Sequence, residues 1–282
     1  MARLRYLLAL SRPRFWLYLA GPVIVGVTFG ARDPGMLFST PAIALFLYFL
    51  LPGNVLLYGI NDVFDADIDV TNPKKNENAR EVRYEGDRTV LAAIALATVI
   101  GIGLSWYIAT ITIAAIPWLI GFFALAVAYS TPPIRFKTTP LLDSLSNGLY
   151  ILPGIAAYVT LAGHQPPLAG ILGGLFWTMG MHTFSAIPDI EPDRRAGITT
   201  TATWLGKRGT YLYCAIVWLA AAGAFATLSM RLGAAMLLYP LFILGVAGTD
   251  IAVDRAYWWF PALNTLMGMM ITIGGLWRLV HG

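Results

Sequence analysis

Leu45-Phe46-Leu47-Tyr48-Phe49-Leu50-Leu51-Pro52-Gly53-Asn54-Val55-Leu56-Leu57-Tyr58-Gly59-Ile60 carries no charge and runs directly into Asn61-Asp62-Val63-Phe64-Asp65-Ala66-Asp67-Ile68-Asp69. The apolar part belongs to a run over 38–60, long enough for a bilayer-spanning helix, which needs about 20 residues. Carboxylates beside hydrocarbon are costly unless they bind something positive. The pattern recurs where the apolar run 167–187 leads into Asp189-Ile190-Glu191-Pro192-Asp193-Arg194-Arg195-Ala196-Gly197. Two oxygen-rich clusters in separate loops predict a shared Mg²⁺ site, and Mg²⁺ held by carboxylates commonly completes its shell with phosphate.

The rest of the chain fits that environment. Its 282 residues are 57% hydrophobic and 12% charged, with a mean hydropathy of +0.67; a soluble domain carries about 25% charged residues. Only helices and closed barrels satisfy their backbone in lipid, and apolar runs of about 20 residues fit helices. The expected fold is all-α: one polytopic membrane domain over 1–282, its helices around a central cavity. Nine spans are expected, at 15–31, 38–60, 88–108, 111–129, 143–162, 167–187, 210–229, 232–249 and 257–279. The third and fourth are divided only by the uncharged stretch around Trp106 to Thr112. The basic start lacks a small-residue cleavage site after the first apolar run, so that run reads as a retained helix. One cysteine, Cys214, excludes an internal disulfide, and no metal-thiolate chemistry is expected.

Charge sets the orientation. With the N-terminus inside, Arg32, Arg231 and Arg278 are the only outside residues among 19 Lys and Arg, a strong positive-inside bias. The chain is expected in the cell membrane, with the N-terminus and both acidic clusters cytoplasmic and the C-terminus outside. No nucleic-acid partner is expected.

Continued as a helix, the first cluster places Asn61, Asp62, Asp65 and Asp69 on one face and turns Asp67 away. Three carboxylates and an amide on one face suit a hard cation; the alternative is a solvated acidic loop. In the second cluster Asp189 and Asp193 are again four apart, with Pro188 and Pro192 intervening. Glu191 projects away if the segment is helical. A third segment, Tyr129-Ser130-Thr131-Pro132-Pro133-Ile134-Arg135-Phe136-Lys137, ends a span and presents two cations on the same membrane side. Arg offers phosphate a bidentate fork and Lys a point charge; alone, such a loop is a topology marker.

The three segments resemble the UbiA superfamily of intramembrane prenyltransferases, whose members show N-D-x-x-D-x-x-x-D, Y-S-x-x-P-x-R-x-K and D-x-x-x-D-x-x-x-G after helices 2, 4 and 6. Here these stand as Asn61-Asp62-Asp65-Asp69, Tyr129-Ser130-Pro133-Arg135-Lys137 and Asp189-Asp193-Gly197. The resemblance implies Mg²⁺-dependent transfer of a prenyl group from an allylic diphosphate to a lipophilic acceptor. It implies Asn61, Asp62, Asp65, Asp69, Asp189 and Asp193 as metal ligands, of which Asp65, Asp69, Asp189 and Asp193 are the catalytic set. Arg14, Tyr129, Ser130, Arg135 and Lys137 would bind the diphosphate. Ser11-Arg12-Pro13-Arg14-Phe15-Trp16, Asn72-Pro73-Lys74-Lys75 and Ile187-Pro188-Asp189-Ile190-Glu191-Pro192-Asp193-Arg194 look like lycopene elongases of the C50 carotenoid pathway. Dimethylallyl diphosphate and lycopene are then the expected substrates. An aromatic or glycerol-lipid acceptor is the alternative, and a cation transporter a remote one.

Polar residues within the spans complete the candidates. Asn54 lies seven residues before Asn61, and His182 seven before Asp189. Asp143, Asn147 and Tyr150 share one face of the fifth span. Asn54, Asn147 and His182 are expected to line the substrate cavity, against the alternative of hydrogen bonds between helices. Asn264 reads as packing.

Overall fold

The structure, a computed structural model, describes residues 2–66, 84, 86–249 and 252–281. Asp67, Asp69 and the Asn72-Pro73-Lys74-Lys75 run lie outside the described residues. The α-helices run in chain order α1 (Ala2–Leu10), α2 (Trp16–Gly30), α3 (Thr40–Leu50), α4 (Pro52–Phe64), α5 (Arg88–Ile111), α6 (Ile116–Ser130), α7 (Leu142–Leu145), α8 (Leu152–Ala162), α9 (Leu168–Ser185), α10 (Ile190–Arg195), α11 (Thr201–Ala226), α12 (Met230–Met236), α13 (Leu238–Ala247), α14 (Val253–Trp258) and α15 (Phe260–His281). No strand occurs among the described residues.

Seven segments, against nine expected, are long and apolar enough to cross a membrane: Thr40–Phe64, Arg88–Ile111, Ile113–Ser130, Leu142–Ala162, Thr201–Ala226, Met230–Ala247 and Phe260–His281. The other two expected spans are α2 and α9. With 15 residues, α2 rises about 22 Å, short of a hydrocarbon core of about 30 Å. The second half of α9 mixes Thr178, His182, Thr183 and Ser185 into its apolar sequence. Outward-facing Ile102, Trp106 and Trp277 are 62%, 75% and 68% exposed, an apolar surface that suits lipid.

Three spans are less continuous than their hydropathy predicts. Leu51 leaves helical geometry at φ −125° between α3 and α4, where Pro52 starts the new helix. Pro at that position gives up an N–H that has no helical partner anyway. The fifth span is α7, a 3₁₀ turn over Ser146–Tyr150, and α8. Ser146 Oγ donates to the Leu142 carbonyl at 2.6 Å, and such side-chain bonds compete with the helical ladder. The seventh begins at Thr201 and kinks at Gly206, φ 66°. The division between α5 and α6 falls at Thr112, whose Oγ1 accepts from the Ala114 N–H at 3.3 Å.

The described chain forms two compact units. One comprises Met1–Ile134, Leu152–Gln165 and Thr272–Gly282; the other comprises Arg135–Ile151 and Pro166–Ile271. In the first, a Cβ on Gly26 of α2 would run into the Gly154 carbonyl of α8, so small residues let these backbones touch. Phe49 and Phe122 meet edge-to-face at 5.0 Å between α3 and α6. In the second, Gly180 of α9 leaves room for the Trp218 indole of α11. Trp218 Nε1 donates to the Trp177 carbonyl at 3.1 Å. Phe184 and Phe260 lie 5.0 Å apart in the same aromatic core.

Candidate functional site

In the first unit, the broken helix places the first acidic cluster at the C-terminal end of α4. Asn54 holds the break together: its Nδ2 donates to the Phe49 and Leu50 carbonyls at 2.9 and 3.0 Å, taking acceptors that the end of α3 leaves unpaired. Asn54 is fully buried and its Oδ1 has no partner. Asn54, expected to line the substrate cavity, thus splints the two helices at the break.

At the other end of α4, Asn61 Oδ1 accepts from Ser130 Oγ at 2.9 Å. This bond joins two motifs that lie far apart in sequence. Asp62 is 1% exposed, and its Oδ1 accepts from Arg12 Nη2 at 3.0 Å. The Arg12 guanidinium also lies 4.7 Å from the Tyr58 ring centroid, within cation–π range. Sequence reasoning missed Arg12 and chose Arg14, whose guanidinium lies over Phe15 at 5.6 Å. The available signal was a cation fixed by the following Pro13. The helix stops at Phe64 and Asp65 is its half-buried C-cap. Asp69 is outside the described residues, so the four-residue face is described only as far as Asp65. Tyr129 is half-buried beside buried Ser130 at the end of α6.

In the second unit, Arg135 adopts a left-handed backbone, φ 39°, ahead of a 3₁₀ turn over Phe136–Thr138 that carries Lys137. The Arg135 carbonyl accepts from the Thr138 N–H and Oγ1, each at 3.0 Å.

The second acidic cluster is helical despite its prolines. Asp189 precedes α10 as N-cap and Asp193 lies within it, both half-buried. Pro192 falls in the first turn, where a missing N–H costs nothing. Glu191 points out, 71% exposed, and pairs with Arg194 at 3.1 Å, as the helical reading predicts. Gly197 closes α10 with φ 70°. Its N–H donates to the Arg194 carbonyl at 3.2 Å, and the Ile198 N–H to the Asp193 carbonyl at 2.9 Å. Those two bonds form a Schellman cap, which needs the left-handed conformation glycine adopts freely. The D-x-x-x-D-x-x-x-G spacing thus places the stop two residues past the helix that carries Asp193. Arg194 Nη2 donates to the Thr203 carbonyl at 2.9 Å and ties α10 to the start of α11. There Thr200 and Thr203 form a reciprocal capping box.

Asn147 is the second polar residue expected to line the cavity. It is 5% exposed and its Nδ2 donates to the Asp143 carbonyl at 2.6 Å, a bond within its own segment. Asn264 accepts from Tyr239 at 2.8 Å, a packing contact. His182 is 19% exposed by side chain, with Nε2 3.8 Å from Asp143 Oδ2.

The donor set fits Mg²⁺. Both acidic clusters offer hard oxygen ligands with no thiolate or imidazole among them. Among the described residues no three His, Cys, Asp or Glu side chains cluster as an all-protein cage. Mg²⁺ is commonly held by one or two carboxylates together with substrate phosphate and water, which is what each described aspartate pair offers.

The UbiA prenyltransferase family model matches residues 19–269. The chain belongs to the UbiA prenyltransferase family. It is 58% identical over 280 residues to the lycopene elongase/hydratase of Haloferax volcanii, covering 99% of this chain and 91% of that protein. It is likewise 58% identical over 278 residues to the lycopene elongase/hydratase of Halobacterium salinarum, covering 99% of both. In fold it matches a UbiA homolog from Archaeoglobus fulgidus bound to DMAPP and Mg²⁺, with TM-score 0.78, 18% identity, and coverage of 98% of this chain and 100% of that one. This UbiA member is therefore an all-α, multi-pass membrane prenyltransferase.

Proposed function

We propose that this chain transfers dimethylallyl groups from dimethylallyl diphosphate to the ends of lycopene, with water quenching the cation that results. The observation that carries the reading is the 58% identity over 99% of the chain to proteins named lycopene elongase/hydratase. The chain acts as a single domain, supported by one family match across 19–269. It lies in the cell membrane with the N-terminus and both acidic clusters cytoplasmic and the C-terminus outside, which the positive-inside bias supports.

Asn61, Asp62, Asp65, Asp69, Asp189 and Asp193 would hold Mg²⁺. The metal, when bound, neutralises charge on the leaving diphosphate. Arg14, Arg135 and Lys137 donate charge-assisted hydrogen bonds to the same group, with Tyr129 and Ser130 beside the first cluster. Together they lower the barrier to breaking the allylic C–O bond, because donors fixed in advance stabilise charge where it develops. Apolar and aromatic walls keep bulk water from the cation. The terminal alkene of lycopene then supplies the electron pair for the new C–C bond, and no deprotonation is needed beforehand.

The test is expression in a lycopene-producing host with mass analysis of the pigments. Pigments heavier by one and then two C5 units, carrying added water, support the assignment. Unchanged lycopene beside prenylated aromatic or glycerol lipids would move the acceptor while leaving the transfer chemistry in place.

A further inference from the structure

Asp143 is fully buried within the membrane-spanning segment Leu142–Ala162. The Thr201 N–H donates to its Oδ2 at 3.0 Å and Thr201 Oγ1 donates to Oδ1. These donors are neutral, so they fix the carboxylate without cancelling its charge. Its ion-pair partner among the described residues is His182, Nε2 to Oδ2 at 3.8 Å. That separation is longer than a hydrogen bond, and it sets the Asp143 carboxylate beside the imidazole ring. The neighbouring positions repeat the link: Thr183 Oγ1 donates to Ser144 Oγ at 2.9 Å, and Ser144 Oγ bonds Tyr213 Oη at 2.9 Å. Two consecutive cross-links thus hold α7 against α9, with α11 behind them. His182 keeps 19% of its side chain accessible, whereas Asp143 keeps none. It lies seven residues before Asp189, which follows the end of α9 at Ser185 through a 3₁₀ turn over Ile187–Asp189. A prenyl group whose diphosphate is held at Asp189 would bring its reacting carbons toward that depth.

We propose that His182, backed by Asp143, accepts the proton when water quenches the cation. The inference rests on the lycopene reading above. When the C–C bond forms, the pair from the alkene leaves a tertiary cation on the acceptor. A water lone pair forms the new C–O bond, and one proton of the resulting oxonium passes to the imidazole. The positive charge then rests beside Asp143 until the proton is released to water. One diphosphate, one alkene and one water give one elongated alcohol, diphosphate and a proton. Without His182 the cation loses a carbon-bound proton instead and yields the unhydrated alkene. Elongation precedes this step and does not require the imidazole.

The experiment compares wild type with His182→Gln and His182→Phe in a lycopene-producing host, scoring elongated pigments by mass with and without added water. Total C5 addition serves as the folding control. Both variants should elongate within about threefold of wild type while the ratio of hydrated to unhydrated product falls roughly 10²-fold, the scale of a lost acid–base group. Asp143→Asn should shift the ratio the same way. An unchanged ratio in variants that still elongate overturns the inference. So does loss of elongation in both His182 variants, which would place His182 in the ionisation step, and so does a wild type that elongates without hydrating. A wild type that leaves lycopene unaltered defeats the acceptor assignment itself.

Discussion

Replacing Arg12 by Met is expected to destabilise the first unit through Asp62. Their 3.0 Å contact joins a 2% exposed carboxylate to an 18% exposed guanidinium. At an effective dielectric constant of about 20, the Coulomb attraction at that distance is roughly 5–6 kcal/mol. Desolvation offsets most of this in the intact pair. Removing one partner is different, because breaking a buried pair costs about 3–5 kcal/mol. The contact over Tyr58 adds roughly 0.5–1 kcal/mol. The residual exposure of Arg12 argues for the lower end, so a loss of about 3 kcal/mol is expected. Unfolding of the detergent-solubilised protein without Mg²⁺ reads it, since metal would otherwise serve Asp62. Arg12→Met combined with Asp62→Asn should recover most of the loss, because the buried charge that Arg12 faces is gone. A single-variant loss under about 1 kcal/mol, or a double variant no better than the single, would refute the reasoning.

Other consequences concern turnover. Asp65→Ala or Asp193→Ala should abolish product while leaving a folded protein, as judged by the same unfolding transition; near-normal activity in either would remove the metal role. Arg135→Ala or Lys137→Ala should raise KM for the allylic diphosphate and lower kcat/KM about tenfold to a hundredfold, since a charge-assisted hydrogen bond is worth roughly 1.5–3 kcal/mol. Gly197→Ala should cost about 1–2 kcal/mol of stability from the left-handed backbone alone, because no atom lies within 4 Å of the added Cβ. It should also weaken diphosphate binding by loosening the cap behind Asp193, which steady-state KM would show.

Hydropathy carried most of the fold, because a bilayer imposes length and composition on every helix. It was blind to the breaks. Pro52, Ser146 and Gly206 are single residues that leave a window average almost unchanged. The motif aspartates were legible through their four-residue spacing, and Glu191 faces away as that spacing requires. The bonds that Asn54 and Asn147 make to nearby carbonyls were not legible, for a shared reason. A polar residue in an apolar run signals an unmet hydrogen bond, but sequence does not say whether the partner is a substrate or a nearby carbonyl. Arg12 and Asp62 are 50 residues apart, and no periodicity marks a pairing at that range. Arg12 therefore counted toward membrane orientation and the family resemblance, not toward a pairing with Asp62.

The most direct measurement is pigment mass from the purified protein in lipid vesicles loaded with lycopene and given dimethylallyl diphosphate, with and without Mg²⁺. The account predicts Mg²⁺-dependent release of diphosphate matched by pigments one and then two C5 units heavier. Diphosphate release without any heavier pigment, or C5 addition that persists after Mg²⁺ is chelated, would contradict it.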